Sequence, residues 1–176
     1  MKRHVTGALL VTGIALAISA ATALPAAAAS SGSETFSGTI VISGVSGTRT
    51  VISSVLVATG VVTGFGQIVE VPNQPGDADN VTRDDLVFRE GTMHLVGMFT
   101  GGTFSADPIS CVATGTTTST SQVDGGTGQF ADATSSFTGT GTFRGVAARN
   151  PDGSCAFDTL PLREIDMVTT RGTLSF

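Results

Sequence analysis

Five side chains in apolar, strand-like surroundings are the candidates for chemistry: Glu70, Arg89, His94, Glu164 and Asp166. A carboxylate enclosed by β-structure loses water, its pKa rises, and it becomes able to act as an acid or a base. On an outer, solvated face the same group is an ordinary surface charge. Glu164 and Asp166 share one strand parity, while Arg163, Ile165 and Met167 share the other, so the sequence leaves open which set faces inward. His94 is the sole histidine beyond the first 29 residues, and Thr92, Val96 and Met98 lie on its face. It is either a general base or ligand contact inside the fold, or an outward, hydrogen-bonded histidine. A serine or cysteine triad would need it, and the chain contains no Gly-x-Ser-x-Gly elbow to meet it. Hydrolase chemistry of that type is therefore not expected.

A second group of oxygen ligands is Asp77-Ala78-Asp79-Asn80, with Asp84-Asp85 close behind. Such a loop can hold calcium in an exported protein. Counted from Asp77, the sixth position of an EF-hand is Thr82 instead of glycine and the twelfth is Phe88, so that motif is excluded. The other reading is a polar loop whose aspartates cap turns. Asn80-Val81-Thr82 fits a glycosylation acceptor. Cys111 and Cys155 are the only cysteines. An even pair in an exported chain points to one disulfide. Their spacing is not C-x-x-C, and no histidine lies near either one, which argues against a metal pair or a redox centre. No cofactor is implied.

The export expectation comes from the start of the chain. Lys2 and Arg3 precede an apolar stretch from Val5 to Leu24, and Ala27-x-Ala29 supplies small residues. This is the layout of a secretory signal peptide cleaved after Ala29. Removing 29 of 176 residues leaves 147, one domain from Ser30 to Phe176. Lys2 and Arg3 are 2 of the 9 basic residues; the remaining 7 are arginines facing 14 acids, a net charge near −7. Such a chain has no basic patch for nucleic acid, and anionic membranes repel it.

Around these residues the chain reads as β-structure. Phe36 to Ile42 alternates, Val51 to Ala58 and Val61 to Val71 are β-branched runs, and Leu86 to Phe88 resumes after the Pro72–Gly76 loop. Thr92 to Phe99, Phe104 to Val112, Thr114 to Val123 and Phe137 to Phe143 follow, with a turn expected at Gly101-Gly102. Asn150 to Gly153 is a further turn, and Leu162 to Thr169 and Gly172 to Phe176 close the chain. Eight to ten strands at such intervals make a barrel or a sandwich. The absence of Trp, which an immunoglobulin-type sandwich places in its core, favours the barrel.

One stretch is more specific. Gly125-Gly126 and Gly128 mark a chain reversal, Phe130 is the first large apolar group after it, and Ala131 and Ala133 keep the next step small. Phe137, Gly139, Gly141 and Phe143 then share one parity against Thr138, Thr140 and Thr142. Gly125 to Phe130 with Ala133 resembles the Gly-Gly-Thr-Gly-x-Phe/Tyr-x-x-Ala motif of dirigent proteins and the allene oxide cyclases. Ser135 stands where that family often has glycine. The resemblance implies an all-β, eight-stranded antiparallel barrel with a ligand-sized interior, in a family that often forms dimers or trimers. It also implies a range of roles: isomerases, cyclases, proteins that steer phenolic radical coupling, and members without assigned activity. None of the family's catalytic acids can be placed on this chain by motif.

Two functional classes follow. In one, an exported barrel binds a small apolar ligand, or assembles with further copies through its outer face. In the other, it is a cyclase or isomerase that shapes an apolar substrate by positioning it beside one or two polar groups.

Overall fold

The computed structural model describes residues 30–45 and 47–176. The chain forms β1 (Ser31–Ser43), β2 (Thr50–Gly60), β3 (Gly64–Val71), β4 (Val81–Phe88), β5 (Gly91–Asp107), β6 (Val112–Gly126), β7 (Thr134–Val146) and β8 (Arg163–Ser175). Each strand pairs with the next, β8 pairs with β1, every pairing is antiparallel, and the sheet is a closed eight-stranded barrel. This is the expected fold. The expected leader and cleavage site fall on residues 1–29, outside the described residues.

Period-two patterning decides what faces the axis. On β7, Phe137, Gly139 and Gly141 are buried while Thr138, Thr140 and Thr142 are exposed. On β1, Glu34, Phe36, Ile40 and Ile42 point in. The inward set is not uniform along the axis, and this shapes the interior.

One end is packed solid. Phe36 meets Phe137 at a centroid distance of 5.3 Å, Phe88 meets Phe130 at 5.8 Å, and Phe130 meets Phe176 at 5.1 Å. Met93 and Leu174 fill the remaining space. Phe130 gets there through the glycine turn. Gly125 has φ +80° and Gly128 φ +60°, and a Cβ on Gly128 would run into the Glu90 carbonyl oxygen. Thr127 N–H donates to the Thr92 carbonyl at 2.8 Å, and the Thr127 hydroxyl accepts from Thr92 N–H at 3.1 Å. The turn is thereby stapled across the start of β5, and the short 3-10 turn Gly128–Phe130 drops its aromatic ring into the barrel end. Glu34 closes the same end from the other side. It is 1% exposed, and its carboxyl accepts backbone N–H groups of Thr35, Thr59 and Val62 at 3.1, 3.0 and 2.7 Å. Those donors replace water, which is the condition for burying a carboxylate.

The other end is built differently. Gly101-Gly102 does not turn: β5 runs unbroken from Gly91 to Asp107, with a bulge at Thr100 where the register to β6 shifts. Glycine inside a strand marks such an irregularity as readily as a turn. Likewise β3 starts at Gly64, since Val62 N–H is taken by Glu34. A Cys111–Cys155 disulfide ties the β5–β6 connection to the long segment between β7 and β8.

Candidate functional site

Above the aromatic plug the barrel holds a cavity of about 540 Å³. Its apolar wall comes from inward positions of β1 to β4: Phe36 and Ile40, Leu56, Ile68, and Leu86. The opposite wall is polar, a row of hydroxyls on β6 from Thr117, Ser119 and Ser121. Space for that row exists because β7 carries glycines opposite it. A Cβ on Gly141 would lie 2.5 Å from Thr117 Oγ1, and one on Gly139 2.6 Å from Ser119 Oγ. The glycine parity of β7 is therefore what hollows this side of the barrel.

The cavity ends in a charged mouth. Inward positions of three strands bring Glu70 (β3), Asp84 (β4), Glu164 and Asp166 (β8) to this level, with Arg49 reaching in from the β1–β2 connection. Arg49 donates to Glu70 from Nε at 3.2 Å and Nη2 at 2.7 Å, and to Glu164 from Nη1 at 3.1 Å; Asp166 Oδ2 lies 3.7 Å from Nη2. These contacts also span a seam. Main-chain pairing of β2 with β3 covers only Leu56–Ala58 and Gly64–Gly66, and beyond it Ser54 Oγ accepts Ile68 N–H at 3.1 Å before Arg49 meets Glu70. The walls part there, and the exposed Val71 and Asn73 form the rim of the cavity.

The electrostatics follow from this placement. Burial first, then the negative charges of Glu164 and Glu70, push the Asp166 carboxyl up to about 7 against the pull of Arg49. Burial, with Glu70 and Asp85 beside it, pushes Asp84 up to about 6. Partial desolvation pulls Arg49 down, but hydrogen bonds and charge from Glu70 and Glu164 together outweigh it and raise the guanidinium. Among the described residues, the buried side-chain oxygens that find no partner in the protein are Ser121 Oγ and Asp166 Oδ1, and both residues line this cavity. Buried polar atoms are normally paired, so two orphans in one cavity mark it out. Chemically, the site offers an apolar body, a hydroxyl row, and a carboxyl that exchanges its proton near neutrality.

The candidate residues thus divide. Glu70, Glu164 and Asp166 converge at the mouth. His94 is on the outer face of β5, where Nδ1 lies 2.7 Å from Asp85 Oδ1 of the neighbouring strand. Arg89 is 93% exposed at the β4–β5 turn and pairs with Glu90. Asp77, Asp79 and Asn80 do not converge on a common point. Asp77 accepts Gln74 N–H at 2.6 Å and holds the Arg83 guanidinium at 2.8 and 3.0 Å, which keeps its pKa low, at about 2. Asn80 donates to the Phe99 carbonyl, and Asp79 stays exposed. Arg49 is no sequence candidate, and Asp84 is one only as an oxygen ligand beside the Asp77 loop, not as a group of the barrel interior. Asp84 has a readable signal, since it shares the parity of Leu86 and Phe88; Arg49 has none, because its connection carries no period.

What these features define is a closed antiparallel barrel, plugged at one end and open at a carboxylate-rich mouth. Compared with protein-family models, with curated proteins and with solved structures, the chain finds no match in any of the three.

Proposed function

We propose that this is an exported binding protein whose barrel takes up a small, largely apolar ligand through the charged mouth. The observation that carries the reading is the cavity of about 540 Å³, one wall apolar and one lined with hydroxyls, above a solid aromatic floor. Ligand sites are typically roughly 300–1,000 Å³, mostly apolar, with a few placed polar groups. The likeness of Gly125–Phe130 to the dirigent and allene oxide cyclase motif supports the same reading, as does the leader-like start of the chain. A fluorescence titration with N-phenyl-1-naphthylamine, a neutral apolar dye, tests it. Saturable one-to-one binding is expected, and Ser119→Phe, which sets a ring into the cavity, should abolish it. Unsaturable binding, or binding indifferent to Ser119→Phe, would contradict the proposal.

A second reading, a cyclase or isomerase, is favoured by one observation: Asp166 is held near a pKa of 7 against an apolar cavity. That is the range in which a carboxyl serves as both acid and base at neutral pH. In this reading Asp166 moves the proton and the cavity wall shapes the substrate.

A further inference from the structure

The polar groups of the cavity say which ligand chemistry it suits, and this inference rests on the cavity being a ligand site. At the mouth four carboxylates share a single guanidinium. Arg49 commits its donors to Glu70 and Glu164, and its distance of 3.7 Å to Asp166 Oδ2 is outside hydrogen-bond range. The other arginine at the rim, Arg83, is held by Asp77 at 2.8 Å. Asp84 and Asp166 are thus left without a hydrogen-bonded cation, Asp166 meeting Arg49 only at 3.7 Å, and Asp166 Oδ1 is buried with no donor. An anionic head entering here would meet an excess of negative charge. A neutral head would leave the charge of Asp84 and Asp166 only partly compensated, by the one shared Arg49, in a poorly hydrated place. A cationic head with N–H groups answers both deficits, since it brings charge and donors together.

We infer that the barrel selects amphiphilic amines: the apolar body lies against Phe36, Leu56 and Ile68, and the ammonium group sits at the mouth beside Asp166 and Asp84. Ser121 Oγ, the second orphan, lies on the hydroxyl wall, where a polar substituent along the ligand body would pair with it. Selection should depend on pH. Asp166 faces Arg49, Glu70 and its strand neighbour Glu164, Asp84 faces Glu70, Arg49 and Asp85, and protonation of Asp84 and Asp166 removes the excess negative charge that recruits the cation.

Isothermal titration of the full, disulfide-bonded protein with octylammonium, octanol and octanoate at 150 mM salt tests this. At pH 8 octylammonium should bind about 10-fold or more tightly than octanol, with octanoate weakest. At pH 5, where octylammonium keeps its charge, the octylammonium-to-octanol ratio should fall towards about 1. In the Asp84→Asn/Asp166→Asn double variant the ratio should fall in the same way at pH 8; the pH series on the unaltered protein gives the same readout should that variant not fold. Octanol binding with no preference for octylammonium overturns the inference and leaves the cavity reading standing. Binding of none of the three overturns both. A preference that persists at pH 5 and in the double variant shows attraction to the protein's overall negative charge, and overturns the inference as well.

Discussion

Asp166→Asn is the sharpest probe of the charged mouth. The amide nearly keeps the carboxyl's shape and removes only its charge. An unfolded aspartate titrates at about 3.9, whereas burial and the neighbouring acids hold Asp166 at about 7 in the fold. A carboxyl raised in this way contributes stability that is fully present below its unfolded pKa and lost as pH rises through its folded pKa. At about 1.4 kcal/mol per pH unit, the ceiling is about 4 kcal/mol lost between pH 4 and pH 8. The side chain keeps 19% of its exposure and shares its field with Glu164, Arg49 and Glu70. Water and coupled titration reduce the effect, so about 1–3 kcal/mol is expected. Asp84, raised to about 6, acts in the same direction. Asp77, lowered to about 2, acts oppositely, but only at acid pH below this window. In urea unfolding this is a shift of roughly 1 M in midpoint for a domain of this size. The wild-type midpoint should fall from pH 4 to pH 8, and Asp166→Asn should match it at pH 4 and exceed it increasingly towards pH 8. A wild-type midpoint that stays level or rises over that range, or an Asn variant less stable at pH 8, refutes the electrostatic account.

Three further outcomes are expected. Gly128→Val forces a β-branched residue to φ +60° and into the Glu90 carbonyl, and should cost about 1–3 kcal/mol; Phe130→Ala, at a site with 0% exposure, should cost about 3–5 kcal/mol. Because the two are neighbours their effects should not add in a double-mutant urea series, and wild-type midpoints for both would show the turn to be an ordinary surface loop. Reduction of Cys111–Cys155, which closes a loop of 44 residues, should lower stability by about 4 kcal/mol at most, read as the difference between oxidised and reduced unfolding midpoints. N-terminal sequencing of secreted protein should begin at Ser30 or within a few residues, and a full-length, membrane-retained product would contradict export.

Legibility in the sequence followed the strength of the local period. β7 could be read residue by residue because its inward glycines and phenylalanines alternate with threonines, and the turn before it because glycine spacing fixes where Phe130 must land. The disulfide followed from a lone pair of cysteines. Glu164 and Asp166 were recognisable as one face, but only barrel closure, with Asp166 opposite the inward Ile40, settles that this face is inside. Asp84 was obscured by Asp85, since adjacent identical charges conceal that one points in and the other out towards His94. Arg49 acts from a non-repeating connection, and only three-dimensional proximity joins it to Glu70 and Glu164 across 21 and 115 residues of chain. Glu34 lies in a Ser/Thr-rich lead whose β-character is weak until pairing with β8 fixes its parity. Gly101-Gly102 reads equally as turn or bulge, and the unbroken pairing with β6 on both sides of Thr100 decides it.

The central claim, that the barrel interior is a ligand site entered at the carboxylate mouth, is tested most directly by a crystal structure of the protein grown with N-phenyl-1-naphthylamine. The account predicts dye density within the cavity, against Phe36, Leu56 and Ile68 and below Arg49. An interior left without dye while the molecule sits only on the outer face, against Val55, Val57 or Phe65, would contradict it.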